Sequence, residues 1–149
     1  MSDPFVHPDE PSAADAIAAI HEELEFFDDW MERYQFIIEL GRKLPAFPAV
    51  WQTDSHRVPG CQSQVWMEAG LQDGRLMLAG ASDAAIVSGL VALLLRVYSG
   101  RTPAEVLATD PVFLKDLGLL EALSTNRGNG IAAMARRIRD VAQSCVAGV

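Results

Sequence analysis

Cysteine is scarce in this chain. Cys61 and Cys145 are the only two among 149 residues, and they lie far apart, the second near the end. That excludes a disulfide framework, and with no C-x-x-C or H-x-x-x-H spacing it gives no sequence sign of a zinc site. A reducing compartment fits such usage. No Lys or Arg occurs in residues 1–32, which carry Asp3, Asp9, Glu10, Asp15, Glu22, Glu23, Glu25, Asp28, Asp29 and Glu32. The net charge of −8 is therefore concentrated at one end, and the remainder is slightly positive. Phosphate backbones are poorly served by such a distribution, so nucleic acid is not an expected partner. Residues 1–11 have neither a basic stretch nor an apolar core, which argues against a secretory signal. The longest apolar run, Ala84 to Leu95, is broken by Ser88 and Gly89 and falls short of the roughly 20 residues a bilayer requires. No membrane association is expected, and the expected location is cytoplasmic.

Half of the residues are hydrophobic, enough to close one core, and no repeat or domain break is visible. Residues 1–12 contain three prolines and several acids and read as a mobile arm ahead of one domain, 13–149. Ile17, Ile20, Leu24 and Phe27 follow helical spacing, predicting a helix from about Ala13 to Phe27. A second begins at Asp28 or Asp29, carries Trp30, Tyr34, Ile37, Ile38 and Leu44 on one stripe, and ends before Pro45 and Pro48.

The pattern then changes. Ser55–Val58 reads as a short strand. Gln64–Leu71 and Arg75–Ala81 read as two more, joined by Asp73-Gly74, a pair that tolerates positive φ. Ser82-Asp83 is placed to cap a nearly all-apolar helix running to Tyr98. Thr102-Pro103-Ala104-Glu105 is a capping box for a short helix, and Asp110-Pro111 opens another. A last helix runs from about Asn126 to Ser144, with Ile131, Met134, Ala135, Ile138 and Val141 inward and Arg136, Arg139 and Asp140 outward. The order predicts an α+β fold: a small three-stranded antiparallel sheet flanked by N-terminal and C-terminal helices.

Chemistry centres on Gly60-Cys61-Gln62-Ser63-Gln64-Val65-Trp66. A lone thiol at a Pro-Gly corner is placed to act as a nucleophile or carrier, and it can equally be a small buried hydrophobe. Gly60 permits backbone that a side chain forbids, and Gln62, Ser63 and Gln64 offer neutral donors to an anionic sulfur. His56 and Arg57 lie just upstream, and Arg127 can approach in space; positive charge there would favour thiolate. A thiol hydrolase would need a histidine and an Asn or Asp to meet the thiol, drawn from His56, His21 or His7 with Asn126 or Asn129. Cys145, near the chain end with no polar constellation, reads as packing.

Four blocks taken together are more specific than any one of them. Gly60–Trp66, Ser82-Asp83-Ala84-Ala85-Ile86-Val87 with Gly89-Leu90, Arg127 with Gly130 and Met134-Ala135, and Tyr34 with Ile37–Gly41 and Leu44-Pro45 resemble, in position and order, the SufE family over about residues 24–142. The resemblance implies a SufE/IscU-like fold. It also implies a sulfur acceptor for a pyridoxal-phosphate-dependent cysteine desulfurase of the SufS or CsdA type. On that reading Cys61 takes persulfide sulfur, stimulates the desulfurase, and passes sulfur to a SufBCD-like scaffold or another acceptor for iron–sulfur cluster assembly. The resemblance makes Asp83 and Arg127 function-linked or partner-contacting. It implies no cofactor and no metal of the chain's own, since pyridoxal phosphate belongs to the desulfurase, and an accessory protein more than an enzyme. Homodimerisation is left open. The alternatives from other classes are an iron–sulfur or metal scaffold and, further off, the stand-alone thiol hydrolase. Ala49–His56, with Trp51, matches no motif of the family.

Overall fold

The computed structural model describes residues 3–60, 63–119 and 125–147, with residues 125–129 and 147 described by backbone alone. Two helices lead: α1 (Ala13–Glu25) and α2 (Trp30–Arg42). In α1 the buried positions Ala13, Ala16, Ile20 and Leu24 recur every three or four residues, the signature of one core-facing stripe. Ser12 caps it, its hydroxyl accepting from the Asp15 amide at 3.1 Å. The Ala13 amide donates to Glu105 at 2.7 Å, so the carboxylate expected to close its own capping box serves another helix instead. Asp29 caps α2 by accepting from the Glu32 amide at 2.9 Å.

A 3-10 turn at Ala49–Trp51 follows, then β1 (Val65–Gln72) and β2 (Arg75–Ser82). They form an antiparallel hairpin in which Gln72 pairs with Arg75. Asp73 at φ 55° and Gly74 at φ 78° make the two-residue turn that their positive φ requires. Among the described residues the sheet has two strands, not the three expected. Ser55–Val58 contributes one bridge, Arg57 to Trp66, flanked by Val58 N–H to the Val65 carbonyl at 2.8 Å and Met67 N–H to the His56 carbonyl at 2.9 Å. The pairing cannot lengthen. Upstream, the His56 and Arg57 amides close turns onto Thr53 and Asp54, and downstream Pro59 has no N–H to offer.

Helix α3 (Ala85–Tyr98) is the spine, with Val87, Leu90, Val91, Leu93, Leu94, Leu95, Val97 and Tyr98 buried. Short helices α4 (Pro103–Ala108) and α5 (Phe113–Asp116) lead to α6 (Thr125–Ala147). Ile131, Met134, Ala135, Ile138 and Ala142 of α6 reach the core, while Val141 is only half-buried. Arg139, expected outward, donates to the Thr109 carbonyl at 2.9 Å and so ties α6 to the end of α4. Among the described residues no helix is long and apolar enough to cross a membrane.

Residues 3–12, expected to be a mobile arm, lie along the domain and bond to it. Val6 N–H donates to the Leu78 carbonyl at 2.9 Å, and the Ser99 hydroxyl donates to the Val6 carbonyl at 2.7 Å. Arg101, almost wholly buried, donates to the Glu10 carbonyl at 2.7 Å. Arg96 is held between two carboxylates, Glu10 at 2.8 Å and Glu23 at 2.6 Å, joining the arm to α1 and α3. Hydrogen bonds from Arg96, working against partial burial, hold the Glu10 carboxyl below the ordinary glutamate value of 4.5. A depressed folded pKa contributes stability that is complete above the unfolded value and lost as pH falls through the folded one. Glu10→Gln is therefore expected to flatten part of the acid limb of the stability curve below about pH 5, read by urea unfolding at a series of pH values. An unchanged acid limb would remove Glu10 from that role.

Candidate functional site: the flanks of the cysteine loop

The chain approaches the site through Val58, which is buried, and Pro59, and turns at Gly60 with φ 88°. A side chain at position 60 would be strained in that conformation, and a Cβ there would lie 3.6 Å from the Cβ of Ala133. Gly60 thus rests against α6. Cys61 and Gln62 lie outside the described residues. Ser63 is half-buried, and at Gln64 the chain is fixed again before β1 begins.

Gln64 is held by the segment between β2 and α3. Its amide donates to Asp83 Oδ1 at 3.0 Å, and its carbonyl accepts from the Asp83 amide at 3.2 Å and from the Ser82 hydroxyl at 2.8 Å. This corrects the expectation that Ser82-Asp83 caps α3. The residue at the cap position is Ala84, with no side-chain cap bond, and the Ser82 hydroxyl reaches the Ala84 amide only at 3.3 Å. The Asp83 carboxylate spends its acceptor across the chain, on the backbone three residues past Cys61. Asp83→Ala is expected to speed hydrogen exchange at the Gln64 amide by up to about tenfold, the worth of one such bond, with Asp83→Asn restoring protection through its remaining oxygen. Equal exchange in all three proteins would show that the bond holds nothing.

Beside Gly60 lies an open cleft of about 530 Å³ lined by Asp54, Ser55, Arg57, Val58, Pro59, Gly60 and Arg137. Two guanidinium groups and one carboxylate give it a positive bias. Arg57 was foreseen there; Arg137 was not. Ala133 and Arg137 are four residues apart on α6 and share a face, so the helix that meets Gly60 also brings the cation. The sequence shows that face, but not that the loop docks on it. Arg127 belongs to α6 by its backbone, and its side chain lies outside what is described.

His56 does not join Arg57 on the cleft. Its Nε2 is 2.7 Å from Glu68 Oε2, its Nδ1 is 3.1 Å from the Thr53 hydroxyl, and its ring stacks on Trp51 at 6.0 Å between centroids. Both ring nitrogens are engaged on the outer face of β1. His56 is thus held to β1 by its backbone carbonyl and by this cluster, and it does not line the cleft. Trp51, from the stretch without a motif, also meets Phe47 and Phe5, tying the arm to the same cluster. Cys145 is half-buried and packs against the core in the last turns of α6. Among the described residues no three His, Cys, Asp or Glu side chains are grouped to hold a metal ion.

Residues 18–142 match the family model described as SufE, Fe–S metabolism associated domain. A protein of Rhizobium meliloti strain 1021, described as an uncharacterized SufE-like protein, is 40% identical over 129 residues, covering 83% of this chain and 92% of the relative. A second, from Rhizobium etli and described in the same terms, is 42% identical over 130 residues, covering 83% of this chain and 87% of its own. The solution structure of a hypothetical protein from Thermus thermophilus has the same fold, with a TM-score of 0.74 at 23% identity, over 89% of this chain and 96% of that one. On the family model and these relatives, the chain belongs to the SufE family, whose domain is associated with Fe–S metabolism.

Proposed function

We propose that this protein is a sulfur acceptor that takes persulfide sulfur from a cysteine desulfurase onto Cys61 and delivers it for iron–sulfur cluster assembly. The observation that carries the proposal is the framing of the Cys61 segment. Gly60 on one side rests on α6 beside a cleft with Arg57 and Arg137, and Gln64 on the other is held by Ser82 and Asp83. A cysteine-bearing segment held at both flanks, with two guanidinium groups on the cleft beside Gly60, suits a nucleophile that must meet another protein's sulfur.

The step is exchange of the thiol–disulfide type. The Cys61 thiolate attacks the outer sulfur of the desulfurase's persulfide. A new S–S bond forms to Cys61 as the S–S bond within the desulfurase breaks, and its electron pair leaves on the desulfurase cysteine as thiolate. One sulfur atom moves at unchanged overall oxidation state. No cofactor of the chain's own takes part; pyridoxal phosphate works in the partner. Unloading the partner frees it for another turnover, which accounts for stimulation.

The test combines the protein with a cysteine desulfurase and free cysteine, then weighs it intact and maps the added mass. One sulfur atom on the peptide containing Cys61 supports the proposal. A coloured, stoichiometric iron–sulfide adduct formed without the desulfurase would instead favour a scaffold, and ester turnover with no partner would favour a hydrolase.

A further inference from the structure

The end of α1 and the start of α2 present a feature that the sulfur chemistry does not use. Phe26 is 82% exposed, an unusual position for a large aromatic ring. It stands edge-on to Phe27 at 5.3 Å between centroids, and Phe27 meets Phe36 of α2 at 5.2 Å. Together with Glu22 and Glu23 these three rings line an open, almost wholly apolar groove of about 310 Å³. The backbone beneath is pinned: Phe26 N–H donates to the Glu22 carbonyl at 3.2 Å, and Arg33 Nε donates to the Phe27 carbonyl at 3.1 Å. The groove exists before anything fills it, so a ligand meets little ordering cost.

We propose that this groove docks a basic segment of a partner protein, one that inserts an apolar anchor side chain between Phe26 and Phe36 while its Lys or Arg residues face the acidic rim. Charge selects this occupant. Glu22 and Glu23 line the groove, Glu25, Asp28, Asp29 and Glu32 are exposed on the same stretch of chain, and residues 1–32 hold no Lys or Arg. The first cation along α2, Arg33, is turned back onto the Phe27 carbonyl and lies over the Trp30 ring at 5.0 Å. Apolar contact supplies affinity, and the carboxylates steer cationic partners and reject acidic ones. The same acids disfavour a symmetric pairing of this face with its copy, because each patch would meet its own charge.

The probe is a labelled amphipathic helical peptide with leucines on one face and Lys and Arg on the other, compared with a counterpart in which every Lys and Arg is Glu. Expected are saturable one-to-one binding of the basic peptide to the full chain, weakening as salt rises, and no saturable binding of the acidic one. Phe26→Ser should weaken binding by about tenfold or more, and Glu22→Lys with Asp28→Lys should weaken it while abolishing its salt dependence. These positions are exposed, so the unfolding temperature checks that each variant folds. The proposal is overturned if the acidic peptide binds equally, if Phe26→Ser binds as well as the parent, or if no saturable binding occurs. It is overturned equally if sedimentation reveals a dimer that Phe26→Ser dissolves, since a second copy would then be the occupant.

Discussion

With Cys61 replaced by serine, the mass gain of one sulfur falls to nothing while the fold persists. A hydroxyl at that position is scarcely ionised near neutral pH, and a thiol with its ordinary pKa of about 8.5 is partly thiolate there. Thiol–disulfide exchange depends on the fraction of thiolate and on its nucleophilicity, so the substitution removes the reacting species itself. Stimulation of the desulfurase should vanish with it, if the acceptor works by emptying the enzyme. Cys145→Ser should load as the parent does, because that thiol packs against the core at the far end of α6. A Cys61→Ser protein that still speeds sulfide release would indicate an allosteric activator, and loading at Cys145 would move the acceptor role to the other thiol. Both outcomes are read by intact mass and by sulfide production in the same reaction.

The second large effect is on stability. Helices α2 and α3 cross at two glycines. A Cβ on Gly89 would lie 2.2 Å from the Ile37 carbonyl oxygen and 2.5 Å from Ile37 Cγ2; one on Gly41 would lie 2.6 Å from the Gly89 amide nitrogen. Neither obstacle is the tip of a flexible side chain, so the helices must part, and the fully buried Ile37, Leu90 and Leu93 lose contact with them. Gly89→Ala is expected to cost about 3 kcal/mol or more, lowering the unfolding temperature by roughly 10 °C for a chain of this length. Gly74→Ala is the useful contrast. Nothing lies within 4 Å of a Cβ there, yet φ is +78°, so only the backbone conformation is penalised, by about 1–2 kcal/mol. If Gly89→Ala unfolded no earlier than Gly74→Ala, the close crossing would not be a keystone of the domain.

These two sites also mark what a sequence can and cannot disclose. The hairpin was legible because Asp73-Gly74 is a local signal, α1 and α2 because stripe and cap are written within a few residues, and α3 because of its long apolar run, though not its cap. The α+β order followed from those pieces. Ser55–Val58 looked like a strand by composition, but the turn before it and Pro59 after it leave room for one bridge. Pairing is a contest between neighbours for the same N–H groups, and composition does not record that contest. Ser82-Asp83 has the chemistry of a helix cap, and the side chain went instead to Gln64, a partner nineteen residues away. Glu105 likewise left its own turn for Ala13. Polar side chains with several acceptors on offer choose by tertiary geometry, which no window of sequence contains. The cysteine heptad was legible as a motif, whereas Arg137 became a neighbour of Gly60 only once α6 had docked.

The pinned leading segment also bears on solubility. Strand β2 has one flank paired with β1; the other meets Arg101 at Leu76 and Val6 at Leu78. Without Val6 the Leu78 carbonyl would keep only the long 3.4 Å contact from the Ser99 hydroxyl, and a poorly guarded sheet margin is an invitation to intermolecular stacking. Residues 3–12 thus act as a sacrificial neighbour, occupying a place that another molecule would otherwise take. Relatives lacking an equivalent must blunt that margin differently, with a proline, a bulge or an outward lysine.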